Sequence, residues 1–550
     1  MDGLIGLTDG PTVGAEHGKD NGVPMKILVC DKIAEEGIEK LKEAGEVVVQ
    51  TGMDEARIVE AARDAAAIVV RSASRITAPV IEAAPQLRII GRAGVGVDNI
   101  DVDAATSRGV LVVNSPGGNT IAAAELAITI LLAAARKVAF ADAEMKRRNW
   151  AKNKCMGTEV TGKVCGVVGV GKIGSEVAKR AQGLGMHVIG HDPVLSAEHM
   201  RGRGVEPVSL DELLARSDFV TLHVPGGAGT KSLIDAAALA KMRKTAVLVN
   251  CSRGGVVDEV ALGEALRNGV IAAAAIDVFE NEPEPWNSPL IDAPNIVLTP
   301  HLGASTSEAQ FGATMDVAVQ IVDVLQGRQP TSAVNLPRVP QETAEGLRPW
   351  IGLAERQGAL MAQTARSGLR KVTVEYLGGL ADLDCSLLTR SALVGLLSRV
   401  SVPAPNIISA PTVAAHRGVT VRETKASERT SYHDLMRITS EYDEGRMSTS
   451  ATLRGIDEPR IVVIQGYRLD FVPAGHLMLV WYKDQPGVIG SVGTILGSAR
   501  VNIGQMHVGR NEVGGTALMA VNLDSAVDEA TAGRVRDLER VEDIRVLDLA

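Results

Sequence analysis

Val164-Cys-Gly-Val-Val-Gly169-Val-Gly171-Lys172-Ile173-Gly174-Ser-Glu-Val177 is a β-branched run, a glycine cluster and the start of a helix-forming segment. Gly169, Gly171 and Gly174 have GxGxxG spacing. The first glycine suits a tight turn. The second lets a pyrophosphate approach the backbone at a helix N-terminus, and the third lets helix and strand pack closely. After the next predicted strand, 187–190, stands Asp192. A carboxylate there would accept hydrogen bonds from a ribose and repel a 2′-phosphate. This order predicts a dinucleotide-binding βαβ unit that takes NAD rather than NADP. Gly169, Gly171, Lys172, Ile173, Gly174 and Asp192 are its expected contacts, with Lys172 within reach of a phosphate.

The same alternation of short apolar runs and helix-length segments extends in both directions. Upstream, predicted strands at 26–30, 46–50, 67–70, 87–91 and 110–114 form a first parallel lobe. A long helix from Asn119 or Thr120 to Ala135, capped by one of those two residues, leads into the second lobe. That lobe continues through predicted strands at 219–223, 246–250, 273–277 and 296–299. The next helix, about 305–326, has no lobe of its own and is expected to return to the first one. A Pro- and Gly-bearing linker, 327–340, follows. Beyond it come a helix-like stretch, 341–367, and strand-like 371–376 and 461–465. The last eighty or so residues read strand, helix, strand, strand, helix, strand, the ferredoxin-like order.

Three segments end consecutive predicted strands of the second lobe. They are Asn250-Cys251-Ser252-Arg253-Gly-Gly, Asp277-Val-Phe-Glu-Asn-Glu282-Pro and Thr299-Pro-His301-Leu-Gly303-Ala304-Ser-Thr. Arg253, Glu282 and His301 therefore meet at the carboxyl edge of one sheet, beside the dinucleotide turn. Oxidising a secondary alcohol by hydride loss needs a base for the hydroxyl proton, which a histidine supplies near neutral pH. A carboxylate beside it orients the ring and stabilises its charged form. A guanidinium holds an α-carboxylate in fixed geometry.

Over roughly 25–330 these motifs resemble the D-isomer-specific 2-hydroxyacid dehydrogenases. The resemblance implies substrate binding by Arg253 and proton transfer by Glu282 and His301. It also implies cofactor contacts at Cys251, Ser252, Asp277, Gly303 and Ala304, and two lobes that close over substrate through crossings near 120 and 304. Val70-Arg71-Ser72-Ala-Ser74 and Gly91-Arg92-Ala-Gly-Val-Gly-Val-Asp98-Asn99 resemble the substrate-lobe motifs of members acting on 3-phosphoglycerate. Arg71, Ser72, Arg92 and Asn119 are then the expected substrate contacts, since a buried phosphate requires cations. The run Trp150-Ala-Lys152-Asn-Lys154 would add a further cation.

Tyr482-Lys-Asp484-Gln-Pro-Gly487 joins a predicted strand to a helix, and Asn502 opens the next strand. Asp484 and Asn502 together suit an ammonium and a carboxylate. The segment resembles an ACT domain. The resemblance implies an L-serine effector contacted by Tyr482, Asp484 and Asn502. The stretch between linker and tail resembles the intervening, allosteric substrate-binding domain of long family members.

The expectation is an α/β protein with a two-lobed Rossmann-type catalytic core, an α+β intervening domain and a ferredoxin-like βαββαβ ACT domain. A disordered tail spans 1–24. The substrate lobe spans 25–120 and 305–335, and the NAD lobe 121–304. The intervening domain spans 336–472 and the ACT domain 473–550. The expected reaction is NAD-dependent oxidation of 3-phosphoglycerate by a homotetramer. The alternatives are a reductase of glyoxylate or hydroxypyruvate and a non-enzymatic, NADH-sensing co-repressor-like scaffold. The extra C-terminal residues weigh against both.

Composition narrows the classes. Apolar residues make up 45% and charged residues 22% of the 550, which is ordinary for a globular chain. A net charge of -9 and 3% aromatics argue against nucleic acid as a partner. The apolar run 121–135 is interrupted by Glu125 and is too short to span a bilayer, so no membrane association is expected. Five cysteines without CxxC spacing indicate neither a disulfide framework nor a metal site. A reducing compartment fits, cytoplasmic or an organelle matrix such as a plastid.

Overall fold

The computed structural model describes residues 24–337, 339–365, 368–399, 401, 404–426 and 431–549. Apart from Pro24, the tail expected over 1–24 lies outside them. The first lobe is a five-stranded parallel sheet of Lys26–Val29, Glu46–Val49, Ala65–Val70, Ile89–Arg92 and Leu111–Asn114, with the second strand outermost and the first beside the third. Its central strand, Ala65–Val70, is buried at every position, as a parallel strand covered on both faces must be. Helix Ser307–Leu325 crosses back onto this sheet. Val317, Ala318 and Ile321 join Ile27, Val29 and Ile89 in one core. Gly91 makes that approach possible, since a Cβ there would run into Val317 and Ile321.

The second lobe is a seven-stranded sheet, parallel throughout, in the spatial order Ile296–Leu298, Ala273–Ile276, Val247–Asn250, Phe219–Leu222, Val164–Val168, His187–His191, Glu206–Pro207. The order reverses between Phe219–Leu222 and Val164–Val168. Doubly wound sheets bind dinucleotides outside the carboxyl ends of the strands at that switch point. Helix Thr120–Ala135 packs its alanine- and leucine-rich side against this sheet. The two crossings are stitched together: Ser115 Oγ donates to Asp316 Oδ2 at 2.6 Å, and Gln320 Nε2 to the Asn114 carbonyl at 3.0 Å.

The third unit is a six-stranded mixed sheet backed by helix Gln341–Thr364, which packs against helix Ser386–Leu397. Gly358 and Gly395 let those two helices touch backbone to backbone. The sequence assigned only a part of this sheet. Strands Asp434–Tyr442 and Gly445–Arg454 bury Ser440, Thr449, Ser450 and Thr452, so polar side chains mask the apolar alternation. The last unit is a four-stranded antiparallel sheet, ordered Ile503–Arg510, Thr516–Leu523, His476–Lys483, Val541–Asp548, with helices Val488–Ser498 and Glu529–Arg536. Strand residues alternate between its faces. Met478, Val480 and Tyr482 meet the two helices. Leu477 and Leu479 join Leu360, Met361 and Phe471, so the third and fourth units share one core. By contrast, the third unit meets the first lobe through a small peg. Ile408, 3% exposed, enters the first lobe's core, and Asn406 Nδ2 donates to the Gly109 carbonyl at 2.8 Å. Among the described residues no helix is long and apolar enough to cross a membrane.

Candidate active site

The dinucleotide turn is built as its glycines require. Gly169 has φ +87°, a left-handed conformation that favours glycine. A Cβ at Gly174 would strike the Gly169 carbonyl, whereas one at Gly171 would meet nothing. The open side of Gly171, at the start of helix Lys172–Gly183, is the cradle a pyrophosphate needs. Asp192 accepts from Val170 N–H at 2.9 Å, Val194 N–H at 2.9 Å and Leu195 N–H at 3.0 Å. Burial opposes its charge, but these donors outweigh burial and hold its carboxyl below the ordinary carboxylate range. Ile173 packs into the second lobe's core. Lys172 is exposed, with its ammonium 3.9 Å from the place a Cβ on Gly117 would take, so it reaches across to the first crossing.

The proton-transfer pair is in contact. His301 Nδ1 lies 2.6 Å from Glu282 Oε2, and Glu282 Oε1 accepts from Phe279 N–H at 2.9 Å. Burial would raise the Glu282 pKa. The hydrogen bonds from His301 and Phe279 and the charge of Arg253 prevail and lower it. Glu282 is therefore a carboxylate, and the Nδ1 proton of His301 faces it. His301 has φ +54°, a left-handed conformation that a histidine must be held in. The holder is Asp277, 0% exposed. Its carbonyl accepts from His301 N–H at 2.8 Å. Its carboxylate accepts from Thr299 Oγ1 at 2.6 Å, Leu302 N–H at 2.7 Å and Gly303 N–H at 3.1 Å. Burial pushes the Asp277 carboxyl up. Ala304, next in the loop, is half-buried. Cys251 and Ser252 are buried below Arg253, and Asn250 Oδ1 accepts from Ser252 N–H and Oγ. Burial, then the nearby Asp277, raises the Cys251 thiol.

The first lobe faces this pair with guanidinium groups. Burial lowers the Arg92 pKa to about 10, and the positive charges of Arg253 and Arg71 add to that. The three are close enough to repel, a cluster that an anion would relieve. Arg92 Nε is buried without a hydrogen-bond partner among the described residues. Gly94 and Gly96 make room for the cluster, because a Cβ on either would strike the Arg92 or the Arg253 guanidinium. Arg253 Nε lies 3.5 Å from Asp98 Oδ2. Arg71 is half-buried and Ser72 exposed. Asn119 occupies the cap position of helix Thr120–Ala135 but makes no side-chain cap bond. The cap expected of it is not formed, and its Oδ1 is buried without a partner among the described residues. Lys152 and Lys154 lie in an exposed 3-10 turn.

In the last unit Tyr482 is buried in the sheet. Asp484 Oδ2 accepts from Arg510 and from Gly514 N–H, and Asn502 Nδ2 donates to Asp524 Oδ2 at 2.6 Å. Asp484 and Asn502 thus have separate partners, and the charges of Asp484 and Arg510 both act on Tyr482. Of the two residues that organise the Arg71 loop, Asp31 escaped the sequence reading and Asn99 stood in it only as the end of the Gly91–Asn99 motif. Asp31 stands two residues past strand Lys26–Val29 and Asp277 one residue past Ala273–Ile276, and an acid at a strand's carboxyl end was the available signal. Among the described residues no group of His, Cys, Asp or Glu could hold a metal ion.

A doubly wound sheet with this glycine turn, and a histidine–glutamate pair beside arginines, defines a nicotinamide-dependent 2-hydroxyacid dehydrogenase. The family model described as "D-isomer specific 2-hydroxyacid dehydrogenase, NAD binding domain" matches residues 128–303. The D-3-phosphoglycerate dehydrogenase intervening domain matches 346–465, and the ACT domain 476–540. The chain belongs to the D-3-phosphoglycerate dehydrogenase family: it is 43% identical over 526 residues to D-3-phosphoglycerate dehydrogenase of Methanocaldococcus jannaschii, covering 96% of this chain and 100% of that one. Among solved structures, the TT0316 protein of Thermus thermophilus matches with TM-score 0.53 and 34% identity, over 56% of this chain and all (100%) of that one. A D-lactate dehydrogenase of Aquifex aeolicus, solved with NAD and lactic acid, matches with TM-score 0.52 and 25% identity over 57% of this chain and 99% of that one.

Proposed function

We propose that this chain is an NAD-dependent D-3-phosphoglycerate dehydrogenase that oxidises 3-phospho-D-glycerate at C2 to 3-phosphohydroxypyruvate, and that the residues above carry the reaction. The observation that carries the reading is the 2.6 Å contact of His301 with an ionised Glu282, facing the Arg71, Arg92 and Arg253 cluster. With its Nδ1 proton directed at Glu282, His301 presents Nε2 as the acceptor for the C2 hydroxyl proton. Glu282 stabilises the imidazolium that results. Arg253 holds the C1 carboxylate, and Arg71 and Arg92 hold the phosphate with Ser72 and Asn119 as further donors. Gly169, Gly171, Gly174 and Asp192 cradle NAD, with Lys172, Ile173, Cys251, Ser252, Asp277, Gly303 and Ala304 around it. When bound, NAD supplies the acceptor for the C2 hydride.

L-Serine is the proposed effector of the last unit, through Tyr482, Asp484 and Asn502. A homotetramer is the proposed assembly. Helix Val138–Lys146 buries none of its residues, and Val138, Phe140, Met145, Trp150 and Met156 are exposed around it. A second copy would cover such a ridge. The test is NADH formation from 3-phosphoglycerate with and without serine. Turnover of the phosphorylated acid supports the reading. Turnover of glyoxylate alone refutes it.

A further inference from the structure

In the first lobe the loop carrying Arg71 is clamped from two sides. Asp31, 5% exposed, accepts from Arg71 N–H at 2.6 Å, from Ser74 N–H at 3.2 Å and from Ser74 Oγ at 2.7 Å. Asn99 donates through one amide nitrogen to the Arg71 carbonyl at 2.8 Å and to the Ser74 carbonyl at 2.6 Å. One residue takes the loop's donors, the other its acceptors. Ile76 N–H then bonds the Asn99 carbonyl at 2.8 Å, closing the loop onto the same segment. That segment also carries Asp98, on the Arg253 guanidinium. Adjacent residues thus touch the loop at the phosphate end and the arginine at the carboxylate end.

We propose that Asp31 and Asn99 are positioning residues for the phosphate of the substrate: they fix the Arg71 loop, and with it the reach from the phosphate-binding cations to Arg253. The inference rests on the function proposed above. Holding a charged group in place is worth most when it acts on a rigid, doubly charged ligand. A displacement of about 1 Å at such a contact costs roughly 100-fold. The clamp therefore decides the preference for a three-carbon acid phosphorylated at C3 over the same acid without phosphate.

The test uses the full chain and two near-isosteric variants, Asp31→Asn and Asn99→Asp, with Ser74→Ala removing only the hydroxyl that meets Asp31 and the Cys30 carbonyl. Reduction of 3-phosphohydroxypyruvate and of hydroxypyruvate is followed by NADH loss, and the NADH dissociation constant by fluorescence. The expected result is a KM for the phosphorylated acid raised roughly 10- to 100-fold with a much smaller change in kcat. The ratio of kcat/KM between the two acids falls by a similar factor, and Ser74→Ala moves it less in the same direction. Equal losses on both acids, a loss confined to kcat, loss of NADH binding or an unchanged ratio overturns the proposal. A wild-type chain without preference for the phosphorylated acid refutes the functional reading itself, before any variant is made.

Discussion

Asp31 and Asp277 do the same structural work in the two lobes. Each follows a parallel strand, is nearly inaccessible, and spends its carboxylate on the donors of the loop that comes next in space. The loops differ in charge. Around Asp31 the first lobe gathers arginines, with the Arg92 pKa lowered to about 10 by burial and like charge. Around Asp277 the second lobe gathers a histidine and a glutamate whose ionisation is favoured. A buried acid can brace a backbone loop of either character, because its partners are N–H groups and hydroxyls rather than the functional side chains. The lobes thus share a scaffold device and divide the chemistry, capture of the phosphate on one and proton transfer, beside the Arg253 guanidinium, on the other.

The sharpest test of that division is His301→Ala. Proton acceptance is lost, and kcat should fall by about 1,000-fold or more, while the KM for 3-phosphoglycerate and the NADH dissociation constant stay within a few-fold. A large rise in KM would show that His301 itself holds the substrate rather than its proton, and would break the comparison. Arg92→Met is the matching change on the first lobe. Removing one charged contact to a desolvated phosphate costs about 2–5 kcal/mol, which should appear as a loss of roughly 30-fold or more in kcat/KM, mostly in KM. Steady-state kinetics on the two variants should show opposite splits between kcat and KM.

Much of this division was legible in the sequence, and the reasons are physical. Parallel strands covered on both faces read as unbroken apolar runs, so Ala65–Val70 and Val164–Val168 stand out. Arg253, Glu282 and His301 sit just past consecutive strands, and the switch-point rule puts such residues together. Asp31 and Asn99 did not stand out because they bind backbone atoms, which leave no partner pattern among side chains. Strand Thr420–Ala426 is largely solvent-facing, and the buried Gln357 Nε2 donates to Thr449 Oγ1 at 2.8 Å, so the mixed sheet carries little hydrophobic periodicity. The core shared by the third and fourth units was hidden for another reason. Both faces of His476–Lys483 are apolar, and only the structure shows which neighbour covers each.

Glu282→Gln sharpens the comparison with a smaller effect. The ring keeps an acceptor, but the imidazolium loses its counter-charge, and kcat should fall about 10- to 100-fold. Stability offers an independent reading. The folded pKa of Glu282 lies below its ordinary value of 4.5, so its contribution is present above that pH and is lost as pH falls through the folded value. The difference in unfolding midpoint between wild type and Glu282→Gln should therefore shrink on acidification below 4.5. A difference that grows would mean that the carboxyl is uncharged in the folded state.

The smallest expected effect concerns the joint between the catalytic lobes and the rest of the chain. Ile408→Ala empties a buried position in the first lobe's core, and such truncations cost about 2–5 kcal/mol where the site cannot collapse. This residue comes from a short loop, held by Asn406 on Gly109 and by the Arg390 guanidinium on the Ile407 and Ile408 carbonyls. A peg of that size loosens without unfolding either partner. The third and fourth units share a core and so should respond as one body, with the catalytic lobes as another. Thermal unfolding of Ile408→Ala should show the catalytic transition moving down by a few degrees while the transition of the C-terminal half stays in place, and turnover below the first transition should change little. A single transition that shifts as a whole would show that the peg couples the halves as tightly as the shared core couples the last two units.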